Sequence, residues 1–144
     1  MTSTFNPETF MNTSTTEAGS TKYTPVPEED YPASIKEVKP REAKGRGILD
    51  INWEIVDERA KAATGMESSV VRQSIFLDLT ESGGLDMGKG KNIPLNKLRE
   101  AVNQNAPGKT WQPGMLLGQV ALVKVTHRLV DDNIYADVKG VTKL

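Results

Sequence analysis

The chain has no cysteine and a single histidine among its 144 residues. Without cysteine there is no disulfide framework, no thiolate zinc site and no cysteine nucleophile, a composition that suits a reducing compartment. His127 has no second histidine to complete a typical zinc site or catalytic triad, so it reads as structural. Long apolar runs are missing too. No stretch approaches the about 20 apolar residues of a membrane span, and Met1-Thr-Ser-Thr-Phe-Asn-Pro has neither the basic nor the apolar part of a signal segment. The expectation is a cytoplasmic protein with no membrane partner. A strong charge of one sign is also absent, the formal net charge being −1 and the pI near 5.9. That excludes a histone-like cationic footprint, so any nucleic-acid binding must rest on local patches and aromatics.

What charge there is lies unevenly. Residues 1–30 hold one lysine against five carboxylates, while residues 31–144 hold seventeen cations against fourteen carboxylates. Residues 1–28 are rich in Thr, Ser, Pro and Glu, with Phe5, Phe10, Met11 and Tyr23 as their main apolar anchors, and read as a flexible, unstructured acidic arm. Residues 29–144 are long enough to bury one core and form the domain proper.

Within that domain a first strand is expected over 31–38, followed by a basic turn over 39–47 carrying Lys39, Arg41, Lys44 and Arg46. The second strand is cleaner, since Leu49, Ile51, Trp53 and Ile55 alternate with Asp50, Asn52 and Glu54. Trp53 follows the inward phase and belongs to the core; Asp50 and Glu54 read as solvated surface. A loop over 59–68 precedes a third strand over 70–80, with Val71, Ile75, Leu77 and Leu79 toward one face and Arg72, Ser74, Phe76 and Asp78 toward the other. A helix is expected over 94–104, with Leu95, Leu98 and Val102 on its apolar face, Pro94 in its first turn and Pro107-Gly108 beyond its end. A fourth strand over 118–129 and a fifth over 134–141 make a hairpin through Asp131-Asp132-Asn133. Five strands with one helix between the third and fourth predict a mainly β, OB-fold-like five-stranded barrel, an architecture used for oligonucleotides and oligosaccharides.

No constellation of residues supports catalysis, a cofactor or a metal. Gly83-Gly-Leu-Asp-Met-Gly-Lys-Gly90 satisfies G-x-x-x-x-G-K between a strand and a helix, yet Gly90 stands where a magnesium-ligating Ser or Thr belongs. The chain also lacks room for a doubly wound nucleotide domain. A mobile basic loop, with backbone amides and the ammonium groups of Lys89 and Lys91 meeting phosphates, is the better reading. Single-strand binding needs cations along a backbone path and flat rings for bases, the stacking worth ~1–3 kcal/mol per base. The candidate nucleic-acid-binding residues are Lys44, Arg46, Arg72, Phe76, Lys89, Lys91, Lys109, Trp111, Lys124, Arg128, Tyr135 and Lys139. Phe76, out of phase with Ile75 and Leu77, either covers the second side of a curled sheet or faces a ligand.

Several segments carry a resemblance: Phe5-Asn-Pro-Glu-Thr-Phe, Val26-Pro-Glu-Glu-Asp-Tyr-Pro-Ala-Ser-Ile, Leu49-Asp-Ile-Asn-Trp-Glu-Ile, Arg72-Gln-Ser-Ile-Phe-Leu-Asp-Leu, Leu98-Arg-Glu-Ala-Val, and Val125-Thr-His-Arg to Val138-Lys. In these the chain resembles small bacteriophage OB-fold single-stranded DNA-binding proteins, a largely uncharacterised family. The resemblance implies a non-catalytic accessory of replication or recombination in the host cytoplasm, with single-stranded DNA as partner. Many single-stranded DNA-binding proteins end in an acidic tail, whereas here the acidic segment is N-terminal and residues 143–144 are Lys-Leu. The competing expectation is a virion structural or assembly protein, a capsid or tail accessory, whose arm 1–28 contacts a neighbouring subunit or another phage protein.

Overall fold

The computed structural model describes residues 4–144, so residues 1–3 of the expected arm lie outside the described residues. The elements are α1 (Pro7–Met11), β1 (Asp30–Ala43), β2 (Arg46–Ile55), α2 (Glu58–Thr64), β3 (Ser69–Phe76), α3 (Ile93–Ala101), a 3₁₀ turn (Pro113–Leu116), β4 (Val120–Val130) and β5 (Asn133–Thr142). The protein is mainly β, and its five strands form one sheet in a closed ring, β1-β2-β3-β5-β4 and back to β1. Every neighbouring pair is antiparallel except β3 and β5, which meet in parallel at Arg72 and Asp137. Among the described residues no helix is long and apolar enough to cross a membrane.

The ring closes because β1 serves two partners. Asp30–Ser34 pairs with β4, Ser34–Ala43 pairs with β2, and the register shifts between Ile35 and Glu37. An irregularity of this kind bends the strand and lets one continuous segment turn the corner between two neighbours. Both hairpins are tight. Lys44 and Gly45 join β1 to β2 with φ of 51° and 75°, and Asp131 and Asp132 join β4 to β5 with φ of 48° and 65°. Positive φ at both central residues matches the right-handed twist of the strands, and Gly and Asp tolerate it best.

The alternation read along the second strand places the core as expected. Leu49, Ile51, Trp53 and Ile55 point inward, joined by Val71 and Ile75 of β3, Tyr31, Ala33 and Ile35 of β1, and Val123 and Val125 of β4. Trp53 is fully buried, and its indole Nε1 donates to Gln73 Oε1 at 3.0 Å, which satisfies both polar groups. Leu95, Leu98 and Val102 seat α3 and its C-terminal end against this core, as their spacing predicts.

Four expectations are corrected. The basic turn is only two residues long, because β1 continues through Ala43. Beyond Val38 that strand carries polar side chains on both faces, Lys39, Arg41 and Glu42 all being exposed, so it shows no alternation to read. The loop after β2 contains a second helix, α2, nucleated by Asp57, whose carboxylate accepts from Arg59 N at 2.8 Å, and stopped at Gly65 with φ 76°. The third strand ends at Phe76, and Leu79 is exposed in the following loop, where it bridges to Leu85. In the arm, Asn6 caps a five-residue helix by accepting from Glu8 N and Thr9 N, with Pro7 opening it. At the other end of the arm, Val26 is part of the core. His127 holds it there, a ring nitrogen hydrogen-bonded to Val26 O at 2.7 Å while its backbone N–H donates to Glu28 Oε2.

Candidate nucleic-acid interface

On β2 and β3 the residues that alternate with the core line the outer face: Ile48, Asp50, Asn52 and Glu54 on one strand, Val70, Arg72, Ser74 and Phe76 on the other. Phe76 is therefore not a second-side core residue. It lies at the end of β3, 52 % exposed, with the Arg46 guanidinium 5.0 Å from its ring centroid. Arg46 also lies 3.9 Å from Asp78. Lys44 sits exposed at the tip of the adjoining hairpin.

A second arginine–aromatic pair stands on the β4–β5 hairpin. Arg128 and Tyr135 are cross-strand partners, the guanidinium lies 5.1 Å from the ring centroid, and Arg128 Nε donates to Asp137 at 2.7 Å. That carboxylate keeps Arg128 more firmly protonated than a free arginine. Since Arg72 and Asp137 are level, Phe76 lies four residues beyond that level and Tyr135 two before it, a separation of about 20 Å along the strands. The two rings cannot take neighbouring bases. Arg72 lies between them and makes no ion pair among the described residues.

Asp50 is not a solvated carboxylate. It is 9 % exposed and accepts hydrogen bonds from Arg41 Nε and from Ser74 Oγ at 2.8 Å. Burial pushes its pKa up, but these two bonds together with the Arg41 and Arg72 charges outweigh that and hold it below the usual carboxylate range.

The glycine-rich loop is committed internally. Fully buried Asn92 accepts from Asp78 N at 2.8 Å and donates to Asp78 O and Asp86 O, while its own N–H goes to Asp78 Oδ2. Gly83 N and Gly84 N donate to Thr80, Gly88 N to Asp86 Oδ1 and Lys91 N to Gly88 O. Several of the amides expected to cradle phosphate are therefore used within the loop, and the Asp86 carboxylate faces one of them. The side chains of Lys89 and Lys91 are exposed beside it.

Trp111 is half-buried, with the largely buried Arg99 4.5 Å from its ring centroid and its Nε1 donating to Gln104 Oε1 at 2.9 Å. It packs against the core and is held in place, while Lys109 beside it is exposed. Lys124 and Lys139 stand elsewhere again, in a cleft of about 830 Å³ beside α3. The expected residues thus fall into separate groups: Lys44, Arg46 and Phe76 at one end of the outer face; Arg72, Arg128 and Tyr135 along it; Lys124 and Lys139 in the cleft.

Two cleft lysines were missed by sequence reasoning, Lys97 and Lys143. Helical periodicity places Lys97 off the apolar face of α3, which was legible, but what that side of the helix looks onto was not. No protein-family model matches the chain, and no curated protein matches it.

Proposed function

We propose that the chain is an OB-type domain that binds single-stranded DNA without catalysis, serving phage replication or recombination as its sequence resemblance suggests. The observation that carries this reading is the strand order, β1-β2-β3-β5-β4 with the ring closed by a parallel β3–β5 contact and α3 inserted between β3 and β4. This is the plan on which OB domains bind oligonucleotides over their second and third strands and the loops beside them. The outer face of β3 and the adjoining β5 supports it further, because Arg72 stands between two rings, Phe76 of β3 and Tyr135 of β5, that are each about half exposed. A base can stack on such a ring, and the adjacent guanidinium can meet the phosphate. Titrating a labelled oligo-dT by fluorescence anisotropy at about 50 and about 200 mM salt tests it. Binding that weakens steeply with salt is expected; no binding at the lower salt would overturn the reading.

One observation favours the assembly reading instead. Phe5, Phe10 and Met11 are 66, 58 and 78 % exposed, an apolar group on the arm that a neighbouring subunit could cover. Deleting residues 1–20, which leaves Val26 in the core and Glu28 bonded to His127, separates the two functions. A DNA-binding domain keeps its affinity, whereas an arm-linked assembly falls apart in analytical ultracentrifugation.

A further inference from the structure

The cleft beside α3 is lined by Lys97 of the helix, Lys124 of β4, Lys139 of β5 and Lys143 just beyond it, against two carboxylates, Asp30 and Glu100. Its lining shares no residue with the outer face that carries Phe76 and Tyr135. All four lysines are exposed, and none takes part in an ion pair among the described residues. Asp30 is opposite Lys124 in the β1–β4 ladder without pairing with it, and its carbonyl instead accepts from Arg59 at 3.0 Å.

The register of β5 explains how two of the lysines come to share one side. Lys124 pairs with Gly140 and Val125 with Val138, so Lys139 is the extra residue of a bulge. Val138 is buried and Val141, three residues on, also packs against the core, a spacing that a regular strand cannot supply. The bulge reconciles them and leaves Lys139 exposed beside Lys124.

We propose that this cleft binds the phosphodiester backbone of single-stranded nucleic acid, as a second contact path in addition to the outer face. The inference rests on the single-strand-binding reading. A volume of about 830 Å³ with cations spread over two strands, a helix and the chain beyond β5 is broad for one phosphate, whose recognition calls for donors converging on a point. It suits a run of phosphates, each neutralised by a mobile ammonium group. Lysine, a compact charge on a flexible stem, does this without imposing the fixed geometry of a guanidinium fork. Ion-paired arginines would have to surrender a carboxylate first; these lysines surrender only counterions.

The test compares the full chain with a Lys97→Gln, Lys124→Gln, Lys139→Gln, Lys143→Gln variant and with the corresponding four-arginine variant. Each is titrated against labelled oligo-dT and an abasic strand of equal length, with melting curves to show that folding is kept. Because the cleft reads backbone, the glutamine variant should lose at least about tenfold affinity for both strands at low salt, and its salt slope should fall by about 2–3. The arginine variant should stay within about twofold of the parent, since charge is retained. By contrast, Phe76→Ala with Tyr135→Ala should weaken only the oligo-dT complex, the abasic strand having no base to stack. A glutamine variant that binds both strands like the parent would overturn the cleft and leave single-strand binding standing. Failure of the unmodified chain to bind oligo-dT at any salt would overturn single-strand binding itself, and the cleft with it.

Discussion

The outer face of the ring and the cleft beside α3 both carry cations, but in different states. On the face most cations are held, Arg41 bonded to Asp50, Arg46 near Asp78, Arg128 bonded to Asp137, Lys36 to Glu54 and Lys39 to Glu37, while Arg72 and Lys44 make no ion pair among the described residues. In the cleft Lys97, Lys124, Lys139 and Lys143 have no such partners among the described residues. A paired cation organises the surface and orients a ring, whereas an unpaired one offers its charge to a ligand. Counting basic residues therefore says less about polyanion binding than asking which of them a carboxylate already holds. Under the proposed function the face would position bases and the cleft would collect phosphates.

The largest effect expected lies where the two regions join. Asn92 ties the loop to Asp78, the carboxylate near Arg46, and begins the helix that walls the cleft. Asn92→Ala removes three buried hydrogen bonds and places alanine at φ 52°, so it should cost about 3 kcal/mol or more in denaturant unfolding. Hydrogen exchange should then rise together over 78–94. A change confined to one side would show the two regions to be mechanically independent.

A smaller effect tests the pairing on the face. Asp50→Asn should cost about 1–2 kcal/mol near neutral pH, because Arg41 loses its charged partner. The folded pKa of Asp50 is depressed, so its contribution is fully present above the unfolded value of about 3.9 and is lost as pH falls through the lower folded value. Acid titration of unfolding should show a shallower acid-side loss in the variant than in the parent. Parallel curves would mean that the bond to Arg41 does not hold in solution.

The smallest effect on stability sharpens the comparison most. Asp137→Asn removes an exposed partner of Arg128 and should change stability by less than about 1 kcal/mol. Converting a paired cation into an unpaired one should nonetheless raise oligo-dT affinity by about two- to fivefold at low salt, steepening the salt dependence. Unchanged affinity would remove Arg128 and Tyr135 from the binding path.

Much of the fold was legible in the sequence. The alternation around Trp53, the helix with Leu95 and Leu98, and the Asp131-Asp132 turn all appear where the pattern predicts them, because each is decided within a few residues of chain. The helix α2 leaves no readable pattern because it buries only Ala60 and has no apolar stripe. The polar end of β1 was missed for a related reason, since a hairpin with both faces in solvent leaves no hydrophobic period. In the candidate site, the outward phase of Arg72 could be read, but the covering of Trp111 by Arg99 and the internal bonding of the glycine loop could not.

By itself, the amino-acid sequence determined which side chains of β2 and most of β3 turn inward and where the chain reverses, since both follow from the two-residue period of a strand and the backbone preferences of Gly and Asp. Only the tertiary structure decided that β3 meets β5, that Asn92 locks the loop, and which cations are neutralised. Those depend on the register between segments far apart in the chain, where a shift of one residue would turn Asp50 away from Arg41 and move the extra residue of the bulge from Lys139 to a neighbour.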